Sequence, residues 1–340
     1  MKHVHRAALL ASALACVAPA LGDDSSAMLG AGGVVVLTKN PDIRMASEDL
    51  YLSPQQVKVH YTFVNDGPKD VDLMVAFPLP DVDNAELAES PIGTTTGGGP
   101  NFVGFKLAVD GKPVTATAEE RAIFKGKDVT GQVKAAGLPL NIVIGGYDAL
   151  QHLPAPKQAA LVKAGLIENI GDAANPTYHA LWTTTTKFWW KMHFPAGKPV
   201  GVDHSYQPVT GQTFFGAYAF APGEQNDFYV KGFCLDKPTT ATIKARLADV
   251  KKATGNDGLL NQYTTDFVIV TANNWKGPIG KFHLTIDKLK PTNVLSMCWA
   301  GDLKKTSATR FESTLTNFAP KQDIQILVLE MPSPDQGGGY

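Results

Sequence analysis

Val57-Lys58-Val59-His60-Tyr61-Thr62-Phe63-Val64 leads through Asn65-Asp66-Gly67-Pro68-Lys69 into Asp70-Val71-Asp72-Leu73-Met74-Val75-Ala76-Phe77. In both runs apolar side chains recur at every second residue, the period of a strand with one face buried. The Gly-Pro break between them predicts a β-hairpin. Phe105, Leu107 and Val109 repeat the alternation and Val114 and Ala116 resume it. Asp110-Gly111 between them suits a tight turn in which both central residues take positive φ.

Working outward, Asp128 or Thr130 can cap a short helix through Val133 that Gly137 ends, and Pro154 to Leu166 reads as another. Residues 118–172 are therefore expected to form a helical insertion. Strands resume at Phe188-Trp189-Trp190 and, after the Pro195-Ala196-Gly197-Lys198 turn, at Val200 to Tyr206. In the last third, Phe228 to Phe233 reads as a strand. Thr239 to Thr254 is a helix with Ile243, Leu247 and Val250 on one face and Gly255 at its exit. Strands are expected at 262–271, 279–287, 293–299, 309–317 and 323–330, before a disordered tail at 333–340.

The chain has 340 residues, 44% of them apolar and 19% charged, which excludes bulk disorder. A net charge of −1 supplies no basic field for nucleic acid. Lys2, His3, His5 and Arg6 precede an apolar run, Ala7 to Ala20, that is too short to span a bilayer. Ala20-Leu21-Gly22 then fits a small-x-small cleavage site. Residues 1–22 thus read as a secretory signal peptide cut near Gly22, leaving a periplasmic or secreted chain with no transmembrane segment. Ala13-Leu14-Ala15-Cys16 is a poor match to a lipidation motif. Of three cysteines only Cys234 and Cys298 remain after cleavage, and two in an exported chain are expected to pair as a disulfide. The expected fold is mostly β with α insertions: a β-sandwich domain at 23–222, then a smaller disulfide-linked α+β domain at 223–332.

Asp24-Ser25-Ser26-Ala27, Gly33 to Thr38, Ser47-Glu48-Asp49-Leu50, Phe77-Pro78-Leu79-Pro80, Phe194-Pro195-Ala196-Gly197 and Thr271-Ala272-Asn273-Asn274-Trp275 stand in order along the chain. Together they resemble an exported bacterial family, number 4424 among the domains of unknown function. The resemblance spans nearly the whole mature chain and implies a bacterial envelope setting, without an activity. Val57 to Asn65, Phe77 to Pro80, Phe105 to Val114 and Pro195 to Val200 are also similar to the vault/inter-alpha-trypsin type β-sandwich. That resemblance implies an extracellular or scaffold module. The Asp-x-Ser-x-Ser metal loop of the domain often found beside it is missing here.

Chemistry-bearing motifs are sparse. Gly30-Ala31-Gly32-Gly33 precedes a strand, Val34 to Leu37, whereas a dinucleotide fingerprint opens a helix. Thr94 to Gly99 lacks the Lys-Ser/Thr of a phosphate loop and reads as a surface loop. Asp81, Asp83 and Glu86 crowd oxygens as calcium sites do, but their spacing is not that of an EF-hand, and a solvated loop is the preferred reading. His193 and His204 flank the 195–198 turn; in a hairpin they stand four ladder positions apart, about 13 Å, too far to share a metal. No Gly-x-Ser-x-Gly elbow and no Cys-x-x-Cys occurs. The same hairpin register stacks Trp189 on His204 with Tyr206 one step along. Those three are the candidate ligand contacts, unless the helical insertion covers them as core. No cofactor is implied. The expectation is a non-catalytic exported binding or scaffold protein with a protein or glycan partner in the envelope, the alternative being an envelope hydrolase.

Overall fold

The computed structural model describes residues 23–30, 35–85, 99–144, 146–172, 174–255 and 258–332. The proposed leader and tail, Glu86, and residues 31–33 and 94–98 lie outside these. In chain order the first strands are β1 Ser25–Leu29, β2 Val35–Leu37, β3 Ile43–Leu52, β4 Val57–Asn65, β5 Val71–Pro78, β6 Val82–Asp83 and β7 Lys106–Val109. They are followed by β8 Lys112–Val114, β9 Thr117–Phe124, β10 Lys127–Asp128, β11 Ile167–Asn169, β12 Tyr178–Ala180, β13 Thr183–Phe194 and β14 Pro199–Tyr206. The last are β15 Thr210–Phe215, β16 Leu260–Phe267, β17 Ile279–Asp287, β18 Val294–Ser296, β19 Lys304–Lys305, β20 Arg310–Phe318 and β21 Ile324–Glu330. Among the described residues five α-helices accompany them: α1 Thr130–Ala136, α2 Tyr147–Gln151, α3 Ala155–Lys163, α4 Glu224–Phe233 and α5 Lys237–Thr254.

Two sheets face each other. One runs β10-β9-β13-β5-β1-β2 with β6 also on β13; the other runs β19-β20-β17-β3-β4-β14-β7-β8. One apolar core lies between them, drawn from alternate residues such as Tyr61 and Phe63 of β4, Val75 and Phe77 of β5, and Phe188, Trp190 and Phe194 of β13. The protein is thus mostly β.

The alternation gives the inward faces of β4 and β5 correctly, but two expected hairpins, β4–β5 and β13–β14, are not formed. β4 and β5 do not form a hairpin: β4 pairs with β3 and β14, and β5 with β1 and β13. The turn after Asn65 carries the chain across the core to the opposite sheet, so the apolar faces of β4 and β5 meet through side chains. Asn65, fully buried, holds this crossing by donating to the carbonyls of Lys69 (2.8 Å) and Phe194 (2.9 Å). The Pro195–Lys198 turn is a second crossing of the same kind, tied to the first by Gly197 N–H donating to Asn65 O at 2.8 Å. The Asp110-Gly111 turn does close the β7–β8 hairpin, with φ of 48° and 73°.

The expected insertion at 118–172 begins with strands, β9 and β10, because Ala118 to Ile123 pairs along β13. Its helices start at Thr130, and Gly137 ends the first of them in the left-handed region, φ 85°. This insertion has its own core around Trp182, Leu140 and Leu161.

In the last third, Phe228–Phe233 belongs to a helix, not a strand. Tyr229 and Phe233 stand four apart on one buried stripe, and Glu224 and Asp227 occupy the first turn, where carboxylates favour a helix N-terminus. A cut at residue 222 does not divide the sheets. β17 pairs in parallel with β3 and antiparallel with β20, so residues 279–318 build the same sheet as residues 43–65. β21, in the four-stranded sheet β15-β16-β21-β18, is buried on both faces. Ile324, Ile326 and Val328 enter the sandwich core while Leu327 and Leu329 pack beneath α4 and α5.

Cys234 ends α4 and bonds Cys298, just beyond β18, with Cα atoms 4.9 Å apart. The bridge spans 64 positions, a loop whose closure removes roughly 4 kcal/mol of unfolded-chain freedom. Replacing Cys234 and Cys298 by serine is expected to lower stability by about 3–4 kcal/mol in urea unfolding, with neither of these two thiols alkylated in the unreduced parent. A midpoint unchanged by the double substitution would contradict this.

Candidate functional site

Asp23, Asp24 and Ser25 are fully buried. The start of β1 pairs with β5, and the short helical turn Val270–Asn274 closes over it. Thr271 Oγ1 donates to Asp23 O at 2.8 Å and receives the Asp23 N–H. Trp275 Nε1 donates to Asp24 O at 2.6 Å, and Asn274 Nδ2 to Ser25 Oγ at 2.9 Å. With the backbone clamped in this way, both aspartate side chains enter the sandwich core.

Three strands of the facing sheet bring polar groups to meet them. Tyr61 of β4 donates its hydroxyl to Asp23 Oδ1. Glu48 of β3 lies directly across from Tyr61 in the β3–β4 register and is 1% exposed. His204 of β14 places Nε2 3.6 Å from Asp24 Oδ1, with neither side chain exposed. Phe77, Phe105 and Trp190 surround the imidazole with ring centroids 5.0, 5.0 and 5.3 Å away. Both oxygens of Asp24 and Glu48, Oδ2 of Asp23 and both nitrogens of His204 lack a hydrogen-bond partner.

Burial dominates the ionisation of the whole group, because a charge loses its hydration there. It pushes the Asp23 carboxyl up to about 8, and those of Asp24 and Glu48 well above the usual carboxylate range. The same loss of water pushes His204 down to about 3. Burial thus disfavours the charged form on both sides of the Asp24–His204 pair. Such a group can hold or exchange a proton, but no solvent path brings a substrate to it.

An accessible site lies at the sandwich edge. A cleft of about 650 Å³ opens beside the β7–β8 hairpin, walled by Phe105, Leu107, Val114, Ala118 and Phe188 and rimmed by Lys106, Asp203 and Ser205. Phe105 and Phe188 stack in its floor at 4.4 Å and 6°. His204 meets the cleft through its backbone alone, since its side chain is sealed. A second hollow of about 480 Å³ continues past Val114 to Lys191, His193 and Lys198.

The structure does not bring Trp189, His204 and Tyr206 together. β13 pairs with β5 and β9 and never with β14, so the register that stacked Trp189 on His204 does not exist. Trp189, half-buried, lies on the outer face of its sheet against Ala27, Val35 and Ala76, and so under β1 and β2, not under the helical insertion. His204 and Tyr206 face inward on the other sheet, both touching Phe77. Asp81 and Asp83 are exposed, and Asp83 Oδ1 receives the Ala85 N–H at 2.9 Å. Among the described residues no three His, Cys, Asp or Glu side chains form a metal-holding group. His60, His193 and His283 instead bond Asp203, Asp72 and Asp49 on neighbouring strands.

Sequence reasoning missed the buried cluster altogether. Its signal was nevertheless present: the Asp24–Ala27, Ser47–Leu50 and Thr271–Trp275 segments, far apart in the chain, all converge on it. The sequence model of a family described as a domain of unknown function, DUF4424, matches residues 22–327. The chain belongs to that family. No curated protein matches. Among solved structures, a candidate nutrient-binding protein from Legionella pneumophila aligns over 91% of this chain and 71% of its own, at 15% identity and a TM-score of 0.44. A yeast LTA4 hydrolase aligns over 85% of this chain and 29% of its own, at 10% identity and a TM-score of 0.28. A zinc metallopeptidase from Deinococcus radiodurans aligns over 86% and 44%, at 7% identity and a TM-score of 0.27.

The unfolded chain's His204 binds a proton near 6.5, whereas the folded chain's does so only near 3. Acidification through that window therefore favours unfolding, and the contribution is fully present above it. His204→Phe is expected to remove about 2–3 kcal/mol of the stability difference between about pH 7.5 and about pH 4.5, read by urea unfolding. Parallel pH profiles for the two proteins would show a charged or hydrated imidazole.

Proposed function

We propose that this chain is an exported envelope protein that binds its partner non-catalytically, through the apolar cleft beside β7–β8. The carrying observation is the division of labour in the geometry. The accessible cleft is lined by aromatic and aliphatic groups with a polar rim, the usual make-up of a recognition site. The strongly shifted carboxyls and His204, which a hydrolase would keep in a wet cleft, are sealed in the core. β8 is a sheet edge only three residues long with Pro113 at its centre, which leaves that position no N–H for an added strand. A ligand is therefore read through side chains in the cleft and not by strand addition. An exported setting is supported by the Lys2–Gly22 leader pattern and by the Cys234–Cys298 bridge, a bond of oxidising compartments. No described helix is long and apolar enough to cross a membrane.

Ala118→Trp and Ala108→Trp place an indole in the cleft. In a thermal-shift screen of apolar peptides and short oligosaccharides, a true ligand at about a hundred times its Kd stabilises the parent by about 2.7 kcal/mol. It is expected to lose that effect in either folded variant. A ligand that stabilises parent and variants equally would move the site elsewhere, and a screen without any hit would remove the binding reading.

A further inference from the structure

Three carboxyl side chains of Asp23, Asp24 and Glu48 sit in one apolar core, and among the described residues no lysine or arginine pairs with any of them. Buried carboxyls without a counter-ion are rare and costly, since a charge there loses hydration that nothing replaces. Asp24 has His204 beside it and Asp23 has Tyr61. Glu48 has no partner on either oxygen, although Tyr61 and, through its hydroxyl, Asp23 stand next to it. An ionised Glu48 would need a cation that no described side chain supplies.

The chain can supply that cation itself. The backbone nitrogen of Asp23 is inside the core, bonded to Thr271 Oγ1. Asp23 is also the residue that follows the small-x-small pattern at Gly22, and the family match begins at residue 22. Resting on the export reading above, the geometry points to a structural role for leader removal: the α-ammonium of Asp23 remains buried and becomes the counter-ion of Glu48, locking β1 into the sandwich. In the cleavage, a leader peptidase adds water across the Gly22–Asp23 peptide bond. Gly22 leaves as a carboxylate, and the Asp23 amine takes up a proton. Thr271 Oγ1 continues to accept one N–H, and the two additional hydrogens of the ammonium are directed to carboxylate oxygens that otherwise have none. The precursor, with an amide at this position, cannot make the pair. The mature fold thereby becomes more stable than the precursor fold without any other change in sequence.

The test compares the exported protein beginning at Asp23 with the same chain exported behind a leader that leaves Gly22 in place. Mass spectrometry of each defines the first residue. The Asp23 chain is expected to have a folding equilibrium constant larger by about a hundredfold or more, because removing one partner of a buried ion pair is strongly destabilising. Failure of the Gly22-extended chain to fold is the extreme form of that result. Glu48→Gln is expected to abolish most of the difference; a gap that survives it would show mere steric obstruction and overturn the proposal. As an independent readout on the unaltered protein, the Asp23 amine is expected to resist acylation when folded and to react when unfolded. Equal reactivity in both states would also overturn it. If the exported chain begins at a residue other than Asp23, the cleavage reading itself falls and takes the lock with it. A chain that begins at Asp23 but gains no stability defeats the lock alone.

Discussion

A single apolar core between two sheets has to tolerate the first residues of β1, and those residues are acidic. The surrounding strands and the turn before Trp275 accommodate that constraint. Thr271 and Trp275 clamp the backbone of Asp23 and Asp24, so both side chains stay buried. The facing sheet answers with the hydroxyl of Tyr61 and the imidazole of His204. Phe77, Phe105 and Trp190 then wall the imidazole from solvent, which is why its basicity falls as the carboxyls' affinity for protons rises. One member of that wall, Phe105, also lines the cleft, where it stacks on Phe188. The buried cluster and the cleft thus share the Phe105 ring.

Asn65 provides a second fixed point. Its side-chain amide satisfies two carbonyls from separate turns, and its own carbonyl accepts from a third position. Both places where the chain crosses from sheet to sheet are thereby tied together at one buried residue. A polar group in such a position specifies geometry, because any alternative turn would leave buried carbonyls unpaired.

Much of the fold was legible because strand period and turn chemistry are local. The alternation of Val57 to Phe63 gave the correct inward face, Asp110-Gly111 gave the correct hairpin, and Gly137 and Gly255 gave the correct helix ends. Partner choice was not legible, since period two states which way a side chain points and not which strand lies beside it. That is why β4 was matched to β5 when its true neighbours are β3 and β14, and why Trp189 was set on His204. Phe228–Phe233 misled for a related reason: a short apolar run fits a strand or a buried helical stripe equally well. The buried cluster was invisible for a different reason. Asp23-Asp24 looks like an ordinary polar start, and only tertiary pairing with residues 48, 61, 204 and 271 reveals it as core.

The parallel pairing of β3 with β17 has a kinetic consequence. Asp49 and His283, hydrogen-bonded at 2.9 Å across that pair, are separated by 234 residues. Contacts of such range bring their loop-closure cost before their reward, and chains dominated by them reach the native state slowly. Until residues 279–287 arrive, β3 keeps one unpaired edge, flanked by strands already competent to associate with other copies. A chain with this connectivity therefore completes that sheet only once residues 279–287 are free to reach β3.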